Sequence, residues 1–108
     1  MSDKAWKSFE RWVCKIFGGK RRGPDFRGEG GGKNDCVDTP GWSIECKLLK
    51  APGFMAMLEA ALQAEAAVTG DEIPVAVIGK AREPRRNALV VMRVGQFVDW
   101  FGSEEDEE

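Results

Sequence analysis

The segment Trp42-Ser43-Ile44-Glu45-Cys46-Lys47-Leu48 is the strongest constraint on what this chain can become. It reads as a β-strand, because apolar residues alternate with polar ones. Trp42, Ile44, Cys46 and Leu48 then face one way and Ser43, Glu45 and Lys47 the other. Two residues of strand rise set Glu45 and Lys47 about 7 Å apart on one face. A central strand covered on both sides rarely carries charge. Where it does, the charges are paired or hold a metal and its water. Taken alone, the two residues favour a surface ion pair.

Residues 3–17 read as a helix, with Trp6, Phe9, Val13, Ile16 and Phe17 at three- and four-residue spacing and Gly18-Gly19 as the stop. Glu10 lies between Trp6, Val13 and Phe17, toward the apolar stripe, so it either snorkels at the edge or enters a polar site. Residues 18–34 are basic and Gly-rich, a surface loop with room for a short strand near Arg21 or Phe26. Residues 35–38 read as a strand, Thr39-Pro40-Gly41 as a turn, and 42–49 as its antiparallel return. A helix over 54–69 follows, then a buried strand at 74–78 and a charged turn at 82–87. A strand at 88–92 and a closing helix at 94–101 complete the chain. This order predicts an α/β fold with a mixed β-sheet flanked by helices.

At 108 residues and 43% hydrophobic content the chain suits one domain with a real core. Residues 1–103 form that domain and the acids at 104–108 a frayed tail. No apolar run reaches a membrane span and no signal sequence is evident, so a cytoplasmic location is expected. Cys14, Cys36 and Cys46 form no CxxC pair and there is no His, which argues against structural zinc and for reduced thiols. Net charge is −2, yet residues 1–50 carry 11 Lys/Arg against 7 Asp/Glu. The basic excess therefore sits in the half that holds the Glu45/Lys47 strand.

Asp35, Glu45 and Glu10 offer hard oxygens that would suit Mg²⁺ or Mn²⁺, and Lys47 offers a charge beside them. With a basic glycine loop just upstream, the combination describes phosphodiester hydrolysis. The chain resembles the PD-(D/E)XK nuclease superfamily, in particular small phage-type Holliday junction resolvase-like proteins. The residues that carry the resemblance are Glu10, Lys20-Arg21-Arg22-Gly23, Asn34-Asp35, Ile44-Glu45-Cys46-Lys47 and Gln63-Ala64, in that order, with the two later strands. The superfamily's Pro-Asp is Asn34-Asp35 here.

The resemblance implies a restriction-endonuclease-like αβββαβ core and Mg²⁺-dependent (or Mn²⁺-dependent) endonuclease activity on four-way DNA. It implies that Asp35, Glu45 and the Cys46 carbonyl ligate the metal, that Glu10 completes or orients its shell, and that Lys47 positions water. Gln63 would face the site from the second helix. Lys20, Arg21, Arg22, Arg27 and Lys33 would contact DNA phosphates. Symmetric cutting of a junction implies a homodimer, through Phe54, Met55 and Met57 or through Phe97, Trp100 and Phe101. Neither a membrane nor a small-molecule cofactor is implied. If the protein is phage-encoded, it would act in the host cytoplasm. Two alternatives stay open: a nuclease for flaps, single strands or duplex, and a non-catalytic DNA-binding module.

Overall fold

The computed structural model describes residues 2–23 and 34–103. The elements are α1 (Ser2–Ile16), β1 (Lys20–Arg21), β2 (Cys36–Val37), β3 (Trp42–Leu49), α2 (Phe54–Ala66), β4 (Ile73–Lys80), β5 (Leu89–Val91) and α3 (Val94–Phe101), with a 3-10 turn at Arg85–Asn87. The expected α/β class is present. Arg27, Lys33, Phe26 and the acidic tail lie outside the described residues.

The main sheet has the order β3-β4-β5. β3 and β4 run parallel and stay in register from Trp42↔Ile73 to Leu49↔Lys80, joined by the α2 crossover, and β5 returns antiparallel to β4. β4 is central, and its residues Pro74 to Gly79 are all buried, as a strand covered on both faces requires. One face packs Ile44, Cys46, Val75 and Val77 under Phe9, Val13 and Cys14 of α1. The other packs Ala76 and Ile78 under Ala60 of α2. Small residues on α2 let the helix lie close to the sheet, and the buried Ser43 hydroxyl is satisfied by donating to the Ala64 carbonyl at 2.8 Å.

Three expectations need correction. First, among the described residues β3 is an edge strand of its sheet, not a central one. Second, β2 does not form a hairpin ladder with β3; it pairs antiparallel with β1, through Lys20↔Val37 and Arg21↔Cys36. Asp38 takes the left-handed region (φ 60°) directly after Val37, turning the chain away before a ladder with β3 can extend. In place of a ladder, the Asp35 N–H donates to the Ile44 carbonyl at 2.8 Å.

Third, the cysteines are not all reduced thiols: Cys14 and Cys36 form a disulfide, and Cys46 is free and buried. Gly18 (φ 93°) ends α1, and the Gly19 N–H caps the Cys14 carbonyl at 2.9 Å. A Cβ on Gly19 would sit 2.0 Å from the Val37 carbonyl oxygen, so only glycine lets β2 lie this close to the end of α1. That approach brings the Cys14 and Cys36 Cα atoms to 5.4 Å, within bridging range.

α1 is seated on the sheet through Phe9, which is 3% exposed. A Cβ on Gly79 of β4 would meet the Phe9 ring at 2.8 Å. Gly79→Ala is therefore expected to lower stability by about 1–3 kcal/mol, because the buried ring has no free space to enter. Equilibrium denaturant unfolding of the variant checks this; an unchanged midpoint would show that the ring yields freely.

Candidate active site

The free edge of β3 opens onto a cavity of about 300 Å³ lined by Trp6 and Glu10 of α1, Asp35, and Glu45 and Lys47 of β3. Residues level with each other on neighbouring strands share a sheet face. Glu45 and Lys47 are level with Ala76 and Ile78, so they belong to the α2 face, while Glu10 approaches from the α1 side. The two sets can meet only where the sheet ends. A free strand edge is thus what brings them together.

Each carboxylate has its own donor. Glu10 Oε1 accepts from Arg21 Nε at 2.6 Å, and the Arg21 guanidinium lies 5.4 Å from the centre of the Trp6 ring. Asp35 Oδ2 accepts the Cys46 backbone N–H at 2.7 Å, so a side chain occupies a place on β3 that a partner strand's carbonyl would take. Lys47 Nζ lies 3.5 Å from Glu45 Oε2. Asp35 is itself framed by backbone: its carbonyl accepts the Arg22 N–H at 2.9 Å, and the preceding Asn34 caps the Cys36 N–H with its Oδ1 at 3.0 Å.

The three carboxyls titrate high. Burial raises Glu10, against the hydrogen bond from Arg21. Burial raises Asp35, against the Cys46 N–H and the Lys47 charge. Burial and then the Asp35 charge push Glu45 up to about 7, with Lys47 opposing. The Cys46 thiol is pushed far above its ordinary range by burial and then by the charges of Asp35, Glu10 and Glu45, so it stays protonated. The carboxylates share one cavity without converging as a tight ligand set. Among the described residues, the one trio of possible ligand atoms lying within 4.8 Å of one another is Cys14, Cys36 and Cys46, two of which are bonded to each other.

The sequence reading anticipated Glu10, Asp35, Glu45 and Lys47 as one site, and they line one cavity. Gln63 is exposed on α2 and is not among the lining residues. Cys46 packs in the α1-side core with its backbone at the cavity wall. Lys20 is exposed, whereas Arg21 is held by Glu10 and Arg22 donates from Nε to the Asn34 carbonyl at 2.6 Å.

Trp6, part of the apolar stripe of α1, is 41% exposed at the cavity mouth. Its i, i+4 spacing to Glu10 was the available signal. A second groove, missed from sequence, is lined by Ser8, Lys80, Arg82 and Arg85 and shares Phe9 and Leu48 with the first. Arg85 donates to the Ser8 hydroxyl and lies 5.7 Å from the Trp12 ring centre, while Lys80 and Arg82 are exposed.

The chain has no significant match among family models, curated proteins or solved structures.

The raised Glu45 carboxyl has a consequence for stability. Unfolded, it titrates near 4.5; folded, at about 7. Between those values the folded chain holds a proton that the unfolded chain has lost. Its contribution is therefore fully present below pH 4.5 and falls as pH rises toward 7. Glu45→Gln removes that loss, so the metal-free variant is expected to exceed the wild type by up to about 3 kcal/mol above neutral pH and to match it in acid. Denaturant melts across that range test this, and parallel curves for the two proteins would refute it.

Proposed function

We infer that this chain is a metal-dependent DNA endonuclease of the PD-(D/E)XK type, with a restriction-endonuclease-like core and four-way branched DNA as its substrate. The observation that carries the reading is the meeting of Asp35, Glu45 and Lys47 in one cavity at the free edge of β3, with Glu10 opposite. The α1 segment, the strand bearing Glu45 and Lys47, the α2 crossover and the parallel strand β4 follow the order that the resemblance implies. The choice of a branched substrate rests on that resemblance.

The donor set fits a hard divalent cation. Carboxylates whose proton affinity is raised by burial, and in Glu45 also by the Asp35 charge, gain most from a cation between them. Asp35 and Glu45 would hold Mg²⁺ or Mn²⁺, with the Cys46 carbonyl at the same wall. Glu10, engaged by Arg21, would orient the shell from the opposite side. A bound ion would supply a hydroxide at neutral pH and offset charge on phosphorus. Lys47, held beside Glu45, orients the attacking water or meets the phosphate charge. Lys80 and Arg82, exposed along the adjoining groove, supply contacts for flanking phosphates.

Asp35→Asn, Glu45→Gln and Lys47→Ala are each expected to abolish cleavage while preserving the fold and DNA binding. The assay incubates labelled four-way junction, flap and linear duplex with Mg²⁺, Mn²⁺ or EDTA. Junction binding without cutting in either metal favours the binding module. Cutting of the flap alone favours the second nuclease reading. Retained cleavage by Lys47→Ala would remove the role given to that lysine.

Replacing both Lys80 and Arg82 with Ala is expected to weaken binding to all DNA sequences alike and to reduce the salt slope by about 2. An unchanged slope would place the strand elsewhere.

Paired cutting of a junction calls for two sites and so for a homodimer. Phe54 of α2, Leu89 of β5 and Val94 of α3 line a single apolar groove, which brings Phe54 and Met57 of the first candidate interface together with the start of α3. Phe54 and Val94 are 72% and 76% exposed, as a face awaiting a second copy would be.

A further inference from the structure

Each of the three carboxylates in the cavity has a cysteine as a near neighbour in the chain. Glu10 and Cys14 are four residues apart on α1, Asp35 precedes Cys36, and Glu45 precedes Cys46. The three sulfurs lie within 4.8 Å of one another beneath the cavity. The Cys14–Cys36 disulfide therefore joins the helix that presents Glu10 to the strand end that presents Asp35.

Beyond the disulfide, that strand end is held by local ties: Arg22 Nε to the Asn34 carbonyl, the Cys36 N–H to Asn34 Oδ1, and the Glu10–Arg21 ion pair that fixes β1 to α1. β1 and β2 share a two-residue ladder and belong to a sheet of their own. A two-stranded ribbon this short is not stable by itself in water. Apart from the disulfide, Asp35 is positioned by three hydrogen bonds: its N–H to the Ile44 carbonyl, its carbonyl from the Arg22 N–H, and its carboxylate from the Cys46 N–H. The covalent bond is the one tie in this group that water cannot replace.

We propose that Cys14 and Cys36 form a reversible thiol–disulfide site whose bond holds Asp35 in the cavity, so that the redox state of this pair sets divalent-ion affinity and, with it, phosphodiester cleavage. The last step rests on the nuclease reading; the positional effect on Asp35 does not. Reduction breaks the Cys14–Cys36 S–S bond. A dithiol donor supplies two electrons and two protons, leaves two thiols on the chain and closes its own disulfide. Oxidised glutathione reverses the change by accepting the same electrons and protons, becoming two thiols. Both sulfurs are buried (Cys14 0%, Cys36 1%), so exchange requires the ribbon to open, and a two-residue ladder opens at low cost. Once the bond is cut, the ribbon and Asp35 are free to leave the β3 edge, while the β3–β4 ladder, which does not involve them, stays formed.

The experiment uses the full chain, equilibrated with dithiothreitol or with oxidised glutathione. Backbone amide exchange, followed residue by residue, reads the position of Asp35 without metal or substrate, because the Arg22 and Cys46 amides donate to it. The expected result is exchange at Arg22 and Cys46 at least about tenfold faster after reduction, with Val75 to Ile78 unchanged. Titration with Mn²⁺ alone should show affinity about fivefold or more weaker in the reduced chain; by reciprocity, Mn²⁺ should make the bond harder to reduce by the same factor.

Cys14→Ser should behave like the reduced chain under both conditions; if it fails to fold, the wild-type pair of states still decides the question. Equal exchange at Arg22 and Cys46 in the two states, or equal Mn²⁺ affinity, overturns the proposal. Redox-dependent exchange and Mn²⁺ affinity with no cleavage of any DNA supports the site and overturns the nuclease reading alone. Cleavage that is indifferent to redox state, with equal exchange, overturns the site alone.

Discussion

The cavity depends on β3 having a partner strand on one edge only. Its eight-residue ladder with β4 is enough to hold the strand rigid, and among the described residues the opposite edge has no second full ladder. Had a long β2 hairpin covered that edge, Glu10 on one side of the sheet and Glu45 and Lys47 on the other would have been separated by backbone. Instead the Asp35 carboxylate takes the Cys46 N–H, satisfying the strand's backbone and placing a third carboxyl at the same spot.

Electrostatics and packing oppose each other in this arrangement. Burial takes three carboxyls out of water and raises the proton affinity of all three, and the Asp35 charge adds to this at Glu10 and Glu45. Arg21 and Lys47 offset part of this. The fold can sustain the conflict because the surrounding apolar contacts, Phe9 against Gly79 and Ile44 beneath Val13, do not involve the charged groups. Destabilised charge at a well-supported edge is a common physical signature of sites that act on charged ligands.

The disulfide sits between these two layers of organisation. It lies in the core under α1, yet it links the residues next to two of the cavity carboxyls. Cys46 packs against the same cluster and stays a protonated thiol, since burial and the neighbouring carboxylates penalise its anion.

Much was legible in the chain itself. Alternation marked β3, the three- and four-residue spacing marked α1, and the apolar run at 74–78 marked β4, because local side-chain periodicity reports directly on which face is buried. The inward turn of Glu10 followed from the same periodicity. What the sequence by itself determined, then, was the identity and order of the elements and which residues could carry chemistry. Only the tertiary structure decided which strand edge opens onto the cavity, that β2 pairs with β1, that Arg21 answers Glu10 rather than solvent, that Gln63 does not line the cavity, and that Cys14 meets Cys36. Each of these depends on contacts between segments distant in the chain. A left-handed residue at Asp38 and the close approach at Gly19 set those contacts, and their consequences cannot be read from local pattern.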